Sequence, residues 1–268
     1  GGSATVWRAT EIATGRMVAI KVVDKRLLLA PFLNMEVASL VRCTGHPNIV
    51  QLFAAYDIAG DDVSPEGEWH LVMELAEGGE LFERLLQHGA YTEKVASDLL
   101  KQIASAVYHL HSCGVTHRDI KPENIVLMSD DEAAPVKLID FGAALVLEEG
   151  EQVIRGGKVG TWTYWAPELA DEDVPYDQAV DMWGLGVVLY IMLSGRHPFE
   201  KARASADDVL QGILDANYSF DSDAWNGVSG RAKELVARTG AAAAMVGSAL
   251  LCNPRLGASG EAARPADL

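Results

Sequence analysis

Small residues open the chain, Gly1-Gly2-Ser3-Ala4-Thr5-Val6, and Lys21 stands fifteen positions beyond Val6 in Ala19-Ile20-Lys21. A turn without bulky side chains lets backbone N–H groups approach phosphate oxygens. A lysine on the neighbouring strand can then supply a point charge to the same phosphates. The pattern suits the binding of a phosphorylated ligand, and the same residues also read as a flexible chain end beside a surface lysine. Three later segments carry the other groups of chemical interest: His117-Arg118-Asp119-Ile120-Lys121-Pro122-Glu123-Asn124, Asp140-Phe141-Gly142 and Ala166-Pro167-Glu168.

Residues so far apart in sequence need a framework to bring them together. Val6-Trp7 and the β-branched run Met17 to Val23 read as strands joined through a turn at Thr14-Gly15. A helix follows Pro31, with Met35, Leu40 and Val41 on its apolar side and Glu36 on another face. Ile49 to Phe53 and Trp69 to Leu75 read as further strands, separated by a polar loop over residues 59–68. Past Gly78-Gly79 the pattern becomes helical. Thr92 is placed to cap a helix in which Val95, Leu99, Ile103, Val107 and Leu110 recur at helical spacing, with Gly114 at the stop position. Short strands near Ile125–Leu127 and Val136–Ile139 bracket a loop, and Val180 to Leu193 reads as a helix. The fold class that follows is α+β: a small strand-rich lobe with one main helix, a short hinge, and a larger helical lobe. The ligand site belongs in the crevice between them.

Composition excludes several alternatives. The chain has 268 residues, of which 49% are hydrophobic, enough for a sizeable core and too apolar for disorder. A formal charge of −16 argues against nucleic acid as a partner, because that affinity comes from basic side chains neutralising phosphates. An acidic surface attracts cationic peptides instead. Cys43, Cys113 and Cys252 are few and odd in number, which suits a reducing cytoplasm or nucleus. No signal peptide opens the sequence. The longest apolar run, Gly184 to Leu193, is too short to span a bilayer, so no membrane is expected as a partner.

In their order and spacing the three segments resemble the HRD-x-K-P-x-N catalytic loop, the DFG motif and the APE segment of eukaryotic-type protein kinases. The resemblance runs from Gly1 to about Pro198. It implies a phosphotransferase that uses ATP and Mg²⁺ on protein or peptide substrates. Asp119 would accept the substrate hydroxyl proton, Lys121 would reach the γ-phosphate, and Asn124 and Asp140 would offer magnesium hard oxygen ligands. Lys21, ion-paired with Glu36, would hold the α- and β-phosphates. Gly1, Gly2, Ser3 and Ala4 would cover the phosphates. Val6 and Ala19 would roof the nucleotide base and Val126 floor it. Met73 takes the gatekeeper position, and Glu74 and Ala76 belong to the hinge whose backbone pairs with adenine. Glu80 would meet the ribose or a substrate arginine. His117, Phe141, Leu40 and Leu52 would form a hydrophobic stack, and Asp181 would brace the catalytic-loop backbone.

Lys121 and the Gly160-Thr161-Trp162-Thr163-Tyr164 segment resemble serine/threonine rather than tyrosine kinases, with Thr161 bridging Asp119 and Lys121. The Glu77-Gly78-Gly79-Glu80-Leu81-Phe82 and Asp181-Met182-Trp183-Gly184 stretches look most like the calcium/calmodulin-dependent group. Glu80 and Glu123 match positions that such kinases use for basic substrate residues, while Ile191 stands where strongly basophilic members often carry Glu. Arg118 matches the residue that receives an activation-loop phosphate in many kinases. Residues 143–160 hold no Ser, Thr or Tyr, and Glu148, Glu149 and Glu151 either supply fixed charge or form a solvated acidic loop. The expected division is an N-lobe at 1–73, a hinge at 74–79 and a C-lobe at 80–268, truncated at both ends. Gly1 falls at the second glycine of the family's loop, Ala4 replaces the third and still permits backbone approach, and the first is missing; the missing strand residues should loosen nucleotide binding. Residues 237–249 are Ala/Gly-rich and read either as a helix extension or as an insertion. Asn253-Pro254-Arg255-Leu256 offers Arg255 as partner to Glu168. Calmodulin or another regulator would act through segments outside this chain. A pseudokinase-like scaffold or weakly active kinase is the alternative, disfavoured by the intact Lys21, Glu36, Asp119, Asn124 and Asp140.

Overall fold

The computed structural model describes residues 4–239 except 29, 61–64, 132–133, 149, 152, 156, 172–173 and 201–203. Gly1, Gly2, Ser3, Glu149, Arg255 and most of the Ala/Gly-rich stretch therefore lie outside the described residues. Strands β1 (Ala4–Thr10) and β2 (Met17–Asp24) pair antiparallel around the turn at Gly15, whose φ of 73° suits a residue without a Cβ. Helix α1 (Ala30–Arg42) follows, then β3 (Leu52–Ile58) and β4 (Glu68–Glu74), giving an antiparallel sheet in the order β1-β2-β4-β3.

Two local expectations are corrected here. The third strand begins at Leu52, not Ile49, because the preceding backbone pairs with the other lobe: Val50 N–H donates to the Leu138 carbonyl at 3.0 Å, and Leu138 N–H donates to that of Asn48 at 2.9 Å. In α1 the buried face comprises Leu33, Glu36, Ser39 and Leu40, whereas Val41 is 60% exposed. Glu36 lies three residues from Leu33 and four from Leu40, so helical periodicity places it on the buried face. Being acidic does not turn it toward solvent.

Helices dominate the rest. Helix α2 (Leu81–His88) leads to α3 (Glu93–Ser112), whose cap Thr92 accepts the Val95 N–H at 3.4 Å. Gly114 leaves that helix with φ of 70°. The short strands β5 (Val115–Thr116), β6 (Ile125–Leu127), β7 (Val136–Leu138) and β8 (Leu145–Val146) form two small ladders, β5 with β8 and β6 with β7. Helix α4 (Pro167–Ala170) precedes α5 (Ala179–Ser194), which is apolar all round and buried along nearly its whole length, as a central helix must be. Helix α6 (Ala206–Leu214) starts with a capping box between Ser205 and Asp208, and residues 230–239 are helical. The largest core cluster joins Leu40, Ile49 and Phe141 to Leu110, Ile125 and Leu185, so one apolar interior runs through both lobes. No described helix is long and apolar enough to cross a membrane.

Candidate active site

The loop between β5 and β6 is held from behind by α5. Asp181, only 1% exposed, accepts the backbone N–H of His117 at 2.9 Å and of Arg118 at 2.8 Å, and its Oδ2 also meets His111 Nε2 at 2.8 Å. Burial pushes this carboxyl up, but the hydrogen bond and charge of His111, with His117, outweigh it and hold it below the usual carboxylate range. Gly184 lets α5 come this close. A Cβ there would sit 2.9 Å from the Ile120 carbonyl oxygen.

Asp119 is buried among three donors. Lys121 Nζ and Asn124 Nδ2 each approach its Oδ2 at 2.9 Å, and the Thr161 N–H donates to Oδ1 at 2.7 Å. Lys121 Nζ also donates to the Thr161 hydroxyl at 2.6 Å, and Asn124 Nδ2 to the Asp119 carbonyl at 2.8 Å. Thr161 thus touches Asp119 through its backbone and Lys121 through its side chain. Gly160 makes the approach possible with φ of 80°, since a Cβ there would overlap the Arg118 carbonyl and come within 3.0 Å of Asp119 Oδ1.

On the sheet side, β2 carries Lys21 and α1 carries Glu36. Lys21 Nζ donates to Glu36 Oε1 at 2.6 Å and to Asp140 Oδ1 at 2.9 Å. Burial alone would lower the lysine, but the two carboxylates facing it raise its pKa and keep the ammonium charged. Asp140 is held low because Lys21 and the Gly142 N–H overcome its desolvation. Its φ is 58°, an uncommon backbone for a non-glycine residue that occurs here at the site itself. Phe141 is buried, with its ring edge-on to His117 at 5.0 Å, and shares a cluster with Leu40, against which Leu52 packs. His117 Nδ1 accepts the Asp119 N–H at 3.3 Å, leaving Nε2 to donate to the Ile139 carbonyl at 3.1 Å. Both ring nitrogens are thus engaged by backbone groups, and the ring acts as a spacer between the Asp119 N–H and the Ile139 carbonyl.

Val6 lies opposite Lys21 on β1 and is 63% exposed, Ala19 lies opposite Met73, and Val126 bridges to Glu80. The Glu74 carboxylate is engaged on the far side by Lys137 Nζ at 2.7 Å and the Gln51 N–H at 3.3 Å. Beyond Ala76, Glu77 and Gly78 bond through their N–H groups to Met128 and Leu127. Glu80 is raised by burial and by the neighbouring Glu83 and Glu123, and Glu123 has a buried Oε2 without a partner among the described residues. Glu168 also has an unpartnered buried Oε2, and burial raises its pKa. Sequence reasoning did not single out Lys137 or the packing roles of Gly160 and Gly184. A lysine between Val136 and Leu138, and a glycine inside an otherwise apolar helix, were the available signals.

The family model described as "Protein kinase domain" matches residues 1–241. The chain is 38% identical over 236 residues to "Calcium-dependent protein kinase 29" of Arabidopsis thaliana, covering 86% of this chain and 41% of that protein. It is 39% identical over 222 residues to "Calcium/calmodulin-dependent protein kinase type 1" of Macrobrachium nipponense, covering 82% of this chain and 61% of that one. "Myosin light chain kinase A" of Dictyostelium discoideum is 36% identical over 241 residues, covering 89% of this chain and 77% of that protein. The chain thus spans about half the length of the first two relatives.

Proposed function

The chain belongs to the protein kinase family, and we propose that it transfers the γ-phosphoryl group of ATP to serine or threonine hydroxyls of polypeptides. The observation that carries this reading is the single ammonium of Lys21 joining Glu36 of α1 to Asp140. Phosphoryl transfer needs little covalent help from the protein and much positioning of charge. Bound ATP–Mg²⁺ would supply the phosphoryl group and screen its charge. Asn124 and Asp140 suit the metal: both carry hard oxygen atoms, and magnesium bound with a nucleotide takes only about one or two protein ligands. Among the described residues no group of three or more His, Cys, Asp or Glu could hold a metal ion.

The other roles fall to this chain's own groups. Lys21 holds the nucleotide phosphates and is kept aimed by Glu36. Asp119 orients the attacking hydroxyl and accepts its proton, its carboxylate fixed in rotation by Lys121, Asn124 and Thr161. Lys121 is shared between Asp119 and Thr161, which places a positive charge beside the hydroxyl. The Glu74–Lys137 contact anchors a hinge at 74–79 between lobes at 1–73 and 80–268. Gly1 to Ala4 would close over the phosphates, and Val6, Ala19, Met73, Ala76 and Val126 would enclose the base. Glu80, Glu83 and Glu123 form an acidic cluster beside the catalytic loop, and the unpartnered Glu123 oxygen favours a basic residue ahead of the target hydroxyl. Calmodulin or another regulator would act through segments outside this chain.

The test is transfer of labelled phosphate from ATP–Mg²⁺ to a mixed peptide pool, followed by identification of the modified residue. Label on serine or threonine, abolished by Asp140→Asn, is the expected result. Transfer that survives that change, or label confined to tyrosine, overturns the reading.

A further inference from the structure

Arg118 precedes Asp119 and takes φ of 64°, a left-handed backbone that a non-glycine residue keeps only when its surroundings fix it. Asp181 fixes the Arg118 N–H, and two acceptors fix the side chain. Nε donates to the Ala143 carbonyl at 2.8 Å and Nη1 to the Tyr176 hydroxyl at 3.0 Å. Ala143 directly follows Gly142, and Tyr176 stands just ahead of α5. The Tyr176 side chain is 2% exposed and packs in one cluster with Leu147, Ile154, Leu169 and Val180. Its backbone pairs with Ile154 in both directions, at 2.7 and 3.0 Å. One residue therefore joins the catalytic loop, the segment after Gly142 and the start of α5.

The sequence limits what else could serve Arg118. Residues 143–160 contain no Ser, Thr or Tyr, so that segment has no hydroxyl that could be converted into an anionic partner. The acceptors in place are the Ala143 carbonyl and the hydroxyl of the buried Tyr176 ring. A charged donor on a neutral acceptor is stronger than an ordinary hydrogen bond, and in a buried setting its loss strands the donor.

We propose that Tyr176 is a positioning residue for phosphoryl transfer: its hydroxyl, acting through Arg118, holds the loop backbone that carries Asp119 in place without any covalent addition to residues 143–160. The proposal deepens the phosphotransferase reading and rests on it. Tyr176→Phe keeps the ring and the backbone pairing with Ile154 and removes only the oxygen. The expected result is a fall in kcat of roughly tenfold or more, with KM for ATP and peptide within about twofold of wild type. Hydrogen exchange should speed up at the Arg118 and Asp119 amides while α3 and α5 keep their protection, and phosphatase treatment of the wild-type protein should leave its rate unchanged. Unchanged kcat and unchanged exchange in the variant overturn the proposal. So does faster exchange spread through α5, which would mark a merely structural role, or a large loss of wild-type activity on phosphatase treatment. A folded wild-type protein without transfer activity would instead sink the phosphotransferase reading, and the exchange comparison would still decide whether Tyr176 holds the loop.

Discussion

Asp181→Asn changes one buried oxygen to an NH₂ group and leaves volume and packing almost intact. The wild-type carboxylate serves three donors: Oδ1 takes the Arg118 N–H, and Oδ2 takes the His117 N–H and His111. An asparagine has one acceptor oxygen. In one orientation its NH₂ faces the Arg118 N–H, and in the other it faces the His117 N–H and His111. Either way at least one buried backbone donor is stranded, at a cost of about 1–3 kcal/mol. Loss of the carboxylate charge beside His111 adds to this, so a total near 3 kcal/mol is expected, or a fall in Tm of roughly 6–12 °C for a domain of this size. Urea unfolding measures the change, with a shifted midpoint and an unchanged slope if the native surface is preserved. Because the folded pKa lies below the ordinary aspartate value, the wild-type contribution is fully present above about pH 4 and is lost only as pH falls through the lowered folded pKa. A variant as stable as wild type at neutral pH would refute the reasoning, since it would mean that Asp181 does not brace the loop.

Gly160→Ala forces a Cβ onto the Arg118 carbonyl at a φ of 80°, so kcat should fall by about tenfold or more with little change in nucleotide affinity, as steady-state kinetics would reveal. His197 is half-buried and desolvation lowers its pKa to about 4, with Nδ1 accepting the N–H groups of Phe199 and Glu200. The unfolded chain binds this proton first, so stability should decline as pH drops from about 6.5 toward the folded value, and His197→Gln should flatten that part of a Tm–pH profile. The Cys43 thiol is pushed up to about 12 by burial and by Cys113 beside it. Iodoacetamide at pH near 8 should therefore modify Cys43 only after unfolding, which mass spectrometry of native and denatured samples would establish.

The order of the elements was legible because it depends on local signals: the Thr92 cap, the apolar repeat of α3 and the β-branched run at Lys21. The pairing of Lys21 with Glu36 was expected only through resemblance to a family, and the approach of Lys21 to Asp140 was not expected at all, because it joins residues far apart along the chain. The burial of Glu36 and the exposure of Val41 follow from where α1 docks, which is a tertiary fact. The strand expected at Ile49 failed for a similar reason: its backbone is claimed by Leu138, a partner far along the chain. The Lys137–Glu74 contact and the seat of Gly160 on Arg118 likewise depend on long-range packing that no window of sequence contains.

The central claim is that Asp119 is the group that receives the hydroxyl proton while Lys21 and Asp140 handle the phosphates. Single-turnover transfer by Asp119→Asn, measured beside its affinity for ATP–Mg²⁺, tests this most directly. The account predicts nucleotide affinity close to wild type with transfer slowed by about 10²–10³-fold. Transfer at the wild-type rate, or a loss explained wholly by weaker nucleotide binding, would contradict it.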